Sequence, residues 1–167
     1  MIYAGRYVYL ALLLVGGAYV GMAHAALPAA VAVHFDAQGH PNGWINPTSY
    51  LVVLTVVGVL IPLGVVALVS FLAYRSPGLL NLPHRTERLA PANRAEAARR
   101  IQVYVWWLPV LMLALALALD VQVVTANRNS PPQLATGSFL AMLATFLGGL
   151  AIWIVGWFKV LRFGPAE

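Results

Sequence analysis

Four unbroken apolar runs, residues 7–26, 50–74, 101–126 and 134–160, decide what this chain can become. A helix needs roughly 20 apolar residues to cross a bilayer core of about 30 Å, and every run meets that length. None alternates with period two, and each is far too long for a strand, so helix is the predicted conformation. A helix also satisfies its own backbone, as any lipid-exposed segment must. Of 167 residues, 61% are hydrophobic and 9% are charged, against about 25% charged in an average soluble domain. A soluble chain this short cannot bury so much apolar side chain, so its solvent is lipid. The expected fold is an all-α, integral membrane four-helix bundle forming one domain over residues 1–167. Pro62 and Pro109 fall inside the second and third runs and predict local kinks there.

The basic residues assign an orientation. Arg75, Arg85, Arg88, Arg94, Arg99 and Arg100 lie between the second and third runs, Arg6 precedes the first, and Lys159 and Arg162 close the fourth. Residues 27–49 contain no lysine or arginine, and residues 127–133 contain only Arg128. By the positive-inside rule both termini and the basic loop are cytoplasmic, and residues 27–49 face outward. The net charge of +5 therefore reads as a topology signal and a contact with anionic lipid, with Arg94, Arg99 and Arg100 facing the headgroups. The arginines flank spans instead of interleaving with aromatics on a polar surface, so the bilayer, and not nucleic acid, is the expected partner. Pro91 suits the first turn of a helix, and Glu96 stands four residues before Arg100 as a helix-face pair. Arg6, the first run and Ala23-His24-Ala25 also resemble a secretory signal. That run exceeds the roughly 7–15 residues of a signal core, so the first span is expected to persist.

Other residue types narrow the options. The chain has no cysteine, which excludes disulfides, thiolate metal sites and cysteine nucleophiles. Tyr3, Tyr7, Tyr9, Tyr74, Tyr104, Trp106, Trp107, Trp153, Trp157 and Phe158 gather near span boundaries, as an interfacial belt does. Gly17 with Gly21, and Gly149 with Gly156, are spaced to permit close helix approach. No HExxH, GxSxG or glycine-rich phosphate loop is present, and no internal inverted repeat points to a transporter.

Polarity concentrates in LPAAVAVHFDAQGHPNGWINP, residues 27–47. Pro28, Gly39, Pro41, Gly43 and Pro47 rule out continuous helix and predict a compact, ordered loop. It carries His34, Asp36 and His40, with His24 just before it. At a rise of 1.5 Å per residue, Asp120 lies about 28 Å beyond Ile101 and His24 about 25 Å beyond Tyr7, both near the outer boundary. If the helices bundle simply, these five titratable groups converge on one outer pocket. Such a pocket has three uses. His34, Asp36, Gly39, His40, Pro41, Gly43 and Trp44 can form a recognition surface for a ligand or partner, supported beneath by His24 and Asp120. His34, Asp36 and His40 have the composition of ligands for zinc or another divalent metal, although the spacing is not an established one. A histidine beside a carboxylate can also respond to pH. Alternatively the groups are purely structural, with His34 and Asp36 bonding loop backbone and Asp120 capping a helix or pairing with Arg128. The leading expectation is a non-enzymatic, cofactor-free accessory, sensing or immunity-type protein. A metal-binding protein and a structural subunit of a larger membrane complex are the alternatives.

The loop also resembles a bacterial membrane-protein family of unknown function related to the SdpI-like proteins, which give immunity against a sporulation-delaying toxin. The shared elements are Leu27-Pro28, His34-Phe35-Asp36, Gly39-His40-Pro41-Asn42-Gly43 and Trp44. Asn81-Leu82-Pro83-His84-Arg85 and Leu89-Ala90-Pro91 resemble a second shared element. The resemblance implies a multi-pass protein of the bacterial cytoplasmic membrane, with other membrane proteins or a peptide toxin as partner.

Overall fold

In the computed structural model, which describes residues 4–79 and 91–162, four helices are long and apolar enough to cross a membrane: Ala4–His24, Pro47–Arg75, Asn93–Asn127 and Thr136–Val160. The basic motif at residues 81–90, with Arg85 and Arg88, and Tyr3 lie outside the described residues. The all-α, four-helix architecture is therefore present, with one small addition. Residues 31–45 form a two-stranded antiparallel hairpin instead of an irregular loop.

The first helix, α1, covers Ala4–His24. Strands β1 (Val31–Phe35) and β2 (Pro41–Ile45) follow. Helix α2 (Pro47–Thr55) starts where the sequence dictates. Asn46 caps it by accepting the Ser49 N–H at 2.8 Å, and Pro47 fills the first turn, where a missing N–H costs nothing. A π-helical turn, Val56–Leu60, joins α2 to α3 (Ile61–Arg75). Helix α4 (Pro91–Val105) opens on Pro91, as expected, and continues past Trp106 into α5 (Trp107–Asn127). Helix α6 covers Thr136–Arg162.

Both proline kinks resolve into specific irregularities. A proline removes its own N–H and crowds the carbonyl four residues earlier. For Pro62 that carbonyl belongs to Gly58, inside the π turn. For Pro109 it belongs to Val105, the last residue of α4 before the break at Trp106. The π turn brings Gly58 against α5 so closely that an added Cβ would sit 2.7 Å from the Cβ of Ala116.

Helix α5 is the hub. Its apolar face buries Val110, Leu113, Ala116 and Val124, and α1, the π turn and α6 all lean on it. Helix α6 is the most peripheral, with no buried residue in its spanning window. In lipid such outward side chains need no protein cover. What holds these helices is close packing and interhelical hydrogen bonding rather than burial from water. Gly149 and Gly156 do permit approach as expected, Gly156 against the Tyr104 ring and Gly149 beside Leu111, whose side chain lies 3.4 Å from where a Cβ would stand. Gly17 and Gly21 do not: a Cβ on either would meet nothing within 4 Å. The close contact of α1 is made instead by Gly16, which backs onto Leu117.

Candidate functional site

The end of the bundle that carries the hairpin holds a buried polar cluster drawn from three helices. Asp120 of α5 is fully buried. Its Oδ1 lies 2.8 Å from Nε2 of His24, the last residue of α1, and accepts the Tyr50 hydroxyl of α2 at 2.7 Å. The His24 and Tyr50 rings stack with centroids 5.3 Å apart. The other oxygen, Oδ2, is buried without a hydrogen-bond partner among the described residues. An unpartnered carboxyl group in an apolar setting is expensive, and here two helix ends are tied to one acceptor on a third helix. Asp120 does not cap a helix or pair with Arg128; its side chain is committed to His24 and Tyr50. Tyr50 escaped the sequence reading because an aromatic at a span end resembles any belt tyrosine.

Next to this cluster the hairpin is built and clamped. Asp36 starts its turn, with Gly39 N–H donating to the Asp36 carbonyl at 3.0 Å. The Asp36 carboxylate accepts the backbone N–H of Gln38 at 2.9 Å and of His40 at 2.8 Å. These bonds, led by the one from His40, hold its carboxyl below the ordinary carboxylate range. The His40 ring adds a contact, Nδ1 to Oδ2, at 3.4 Å. Gly39 is required twice over. Its φ is +85°, and an added Cβ would collide with the Leu134 carbonyl oxygen.

The connection between α5 and α6 grips the hairpin from the other side. Asn127 accepts the Ala32 N–H and donates to the Ala32 carbonyl, both at 2.9 Å. Leu134 N–H donates to the Gly39 carbonyl at 3.0 Å, and the Gln133 amide to the Gln38 carbonyl at 2.9 Å. Val31 and Ala32 are fully buried beneath. Asn127 was invisible as a clamp because its partner lies 95 residues away.

The outward face is left uncovered. His34, His40, Asn42 and Trp44 are exposed, Trp44 at 53%. Gly43 pairs with His34 across the hairpin and lets its ring lie close, 3.0 Å from where a Cβ would stand. Pro41 opens β2 and pairs with Phe35.

The expected single pocket of five titratable groups does not form. His24 and Asp120 meet; Asp36 and His40 form a separate local pair; His34 makes no side-chain hydrogen bond among the described residues. The reason is the hairpin itself. Its strands turn His34 outward, while the Asp36 turn consumes its own carboxylate. Among the described residues no three His, Asp or Glu side chains gather as a metal ion requires.

Below the cluster, α1 and α2 diverge over α5 and leave an apolar cleft of about 410 Å³. Gly17 and Gly21 form one wall, Leu51 and Thr55 the other, and Ala116 and Leu117 the floor. His24 and Asp120 come three residues after Gly21 and Leu117, and Tyr50 comes one residue before Leu51, so the three close the cleft at the hairpin end. Comparison of the chain with models of protein families, with curated proteins and with solved structures gave no match.

Proposed function

We propose that this chain is a non-enzymatic, multi-pass membrane protein that uses the hairpin of residues 31–45 to recognise a partner at the outer membrane-water boundary. In this reading both termini and the arginine-rich segment are cytoplasmic, and the membrane is the bacterial cytoplasmic membrane. The partner class suggested by the SdpI-like resemblance is another membrane protein or a peptide toxin, giving an immunity-type or sensing role.

One observation carries the reading. The hairpin is immobilised by Asn127, Gln133 and Leu134, yet its outward face, with His34 and Trp44, is left bare. A mere connection needs no such clamping, and loop order without burial marks a surface kept in shape for contact. An exposed Trp and an adaptable His on a clamped backbone suit recognition, since the hairpin's ordering cost is met before binding. In cells lacking the chain, a His34→Ala/Trp44→Ala variant is expected to reach the membrane at normal levels and still fail to restore the wild-type phenotype. Full restoration would refute the proposal.

A further inference from the structure

The opposite end of the bundle carries a second feature that the hairpin does not explain. A hollow of about 220 Å³ opens there between the start of α1, the end of α3 and α4, lined by Arg6, Tyr74, Arg99, Gln102 and Trp106. The Arg6 guanidinium lies 5.1 Å from the centroid of the Trp106 ring, which is itself packed on Tyr9. Arg99 is held by a fork to Glu96, at 2.8 and 3.0 Å, and Arg100 bonds the same carboxylate at 2.6 Å. Arg94 reaches the Tyr74 carbonyl at 3.5 Å on the adjoining side. Arg99 and Arg100 therefore share one carboxylate, and both pocket arginines are already oriented by neighbours.

The remaining polar groups add donors. The Tyr74 hydroxyl donates to Oε1 of Gln102 at 2.9 Å, which occupies the amide oxygen. The amide nitrogen of Gln102 has no hydrogen-bond partner among the described residues. A site of guanidinium and amide N–H groups with its acceptors already engaged fits an anion with several oxygens.

We propose that this hollow binds the phosphate of an anionic phospholipid. The lipid source follows from position. The pocket lies where polar α4 passes into the apolar spanning helix, and Trp106, backed by Tyr9, gives it an aromatic wall at that level. Net negative lipids fit and zwitterionic ones do not, because an ammonium headgroup would face the guanidinium groups of Arg6 and Arg99 that line the hollow. The site is independent of what the hairpin recognises.

The test uses the whole chain in phosphatidylcholine nanodiscs containing a minor fraction of phosphatidylglycerol, with retained lipid read by native mass spectrometry. The wild-type chain is expected to retain phosphatidylglycerol. Arg6→Gln/Arg99→Gln is expected to lose about thirtyfold in affinity, roughly fivefold for each arginine near the surface. Arg128→Gln, at the hairpin end, is expected to bind as the wild type does, and millimolar inorganic phosphate is expected not to displace the lipid. Unchanged retention in the double variant, or equal loss in Arg128→Gln, would overturn the proposal. So would displacement by inorganic phosphate, which would make the ligand a free anion. Gln102→Leu keeps every charge and covers the case in which the double variant does not fold. It is expected to weaken retention several-fold, and retention equal to wild type would overturn the assignment.

Discussion

Removing the Tyr50 hydroxyl isolates the bond that ties α2 to the hub helix. Tyr50→Phe keeps the ring, its stacking on His24 and its volume, and deletes only the 2.7 Å bond to Asp120. Interhelical hydrogen bonds in bilayers average about 0.6 kcal/mol and reach about 1.7. Low values arise where freed groups find other partners. Here Asp120 is fully buried and its second oxygen already lacks one, so the upper part of that range applies. A loss of about 1.5 kcal/mol, about tenfold in the unfolding equilibrium, is expected. The assay is reversible unfolding in mixed micelles, arranged as a double-mutant cycle. In an Asp120→Asn background the acceptor is altered, and Tyr50→Phe should then cost about 0.5 kcal/mol or less, leaving a coupling near 1 kcal/mol. A neutral Tyr50→Phe, or two strictly additive substitutions, would refute the claim that one oxygen holds both helix ends.

Other outcomes test the hairpin and the helix contacts. Asn127→Ala removes both bonds to Ala32, and about 1–3 kcal/mol of local protection is expected to vanish from the Val31–Ile45 amides in hydrogen exchange. Asp36 has its folded pKa depressed, so its contribution is complete above the unfolded value, about 4, and is lost as pH falls through the folded one. Exchange of the Gln38 and His40 amides should thus be flat from about pH 6 to 5 after correction for intrinsic rates, and should rise below about 4; a flat profile to pH 2 would contradict this. Gly58→Ala should destabilise by about 1–3 kcal/mol through collision with Ala116, and Ala116→Gly should restore most of it in the double variant.

The four long apolar helices were legible because run length and apolar composition are properties of contiguous sequence. So were the positions of irregularity, since Pro62 and Pro109 act on carbonyls four residues earlier. The form they took was not: a π turn at Val56–Leu60 depends on how Gly58 docks on Ala116, a contact between distant helices. The hairpin was hidden by its own punctuation, because Pro41 and Gly43 sit inside a strand only five residues long. A helical rise of about 1.5 Å per residue brings His24 and Asp120 to one level, and they do meet. It gave no means of finding Tyr50 or Asn127, whose roles are set by partners 70 and 95 residues away. Gly17 and Gly21 misled because small-residue spacing permits approach without compelling it; here they line a cleft.

The absence of cysteine allows single cysteines to be placed at will and labelled with a membrane-impermeant maleimide. The decisive pair is His40→Cys, on the hairpin, and Arg100→Cys, on α4, each in intact cells and after permeabilisation. The orientation proposed here requires residue 40 to react in intact cells and residue 100 to react only after permeabilisation. Reversed labelling, or both residues reacting from the same side, would contradict it and remove the outer partner with it.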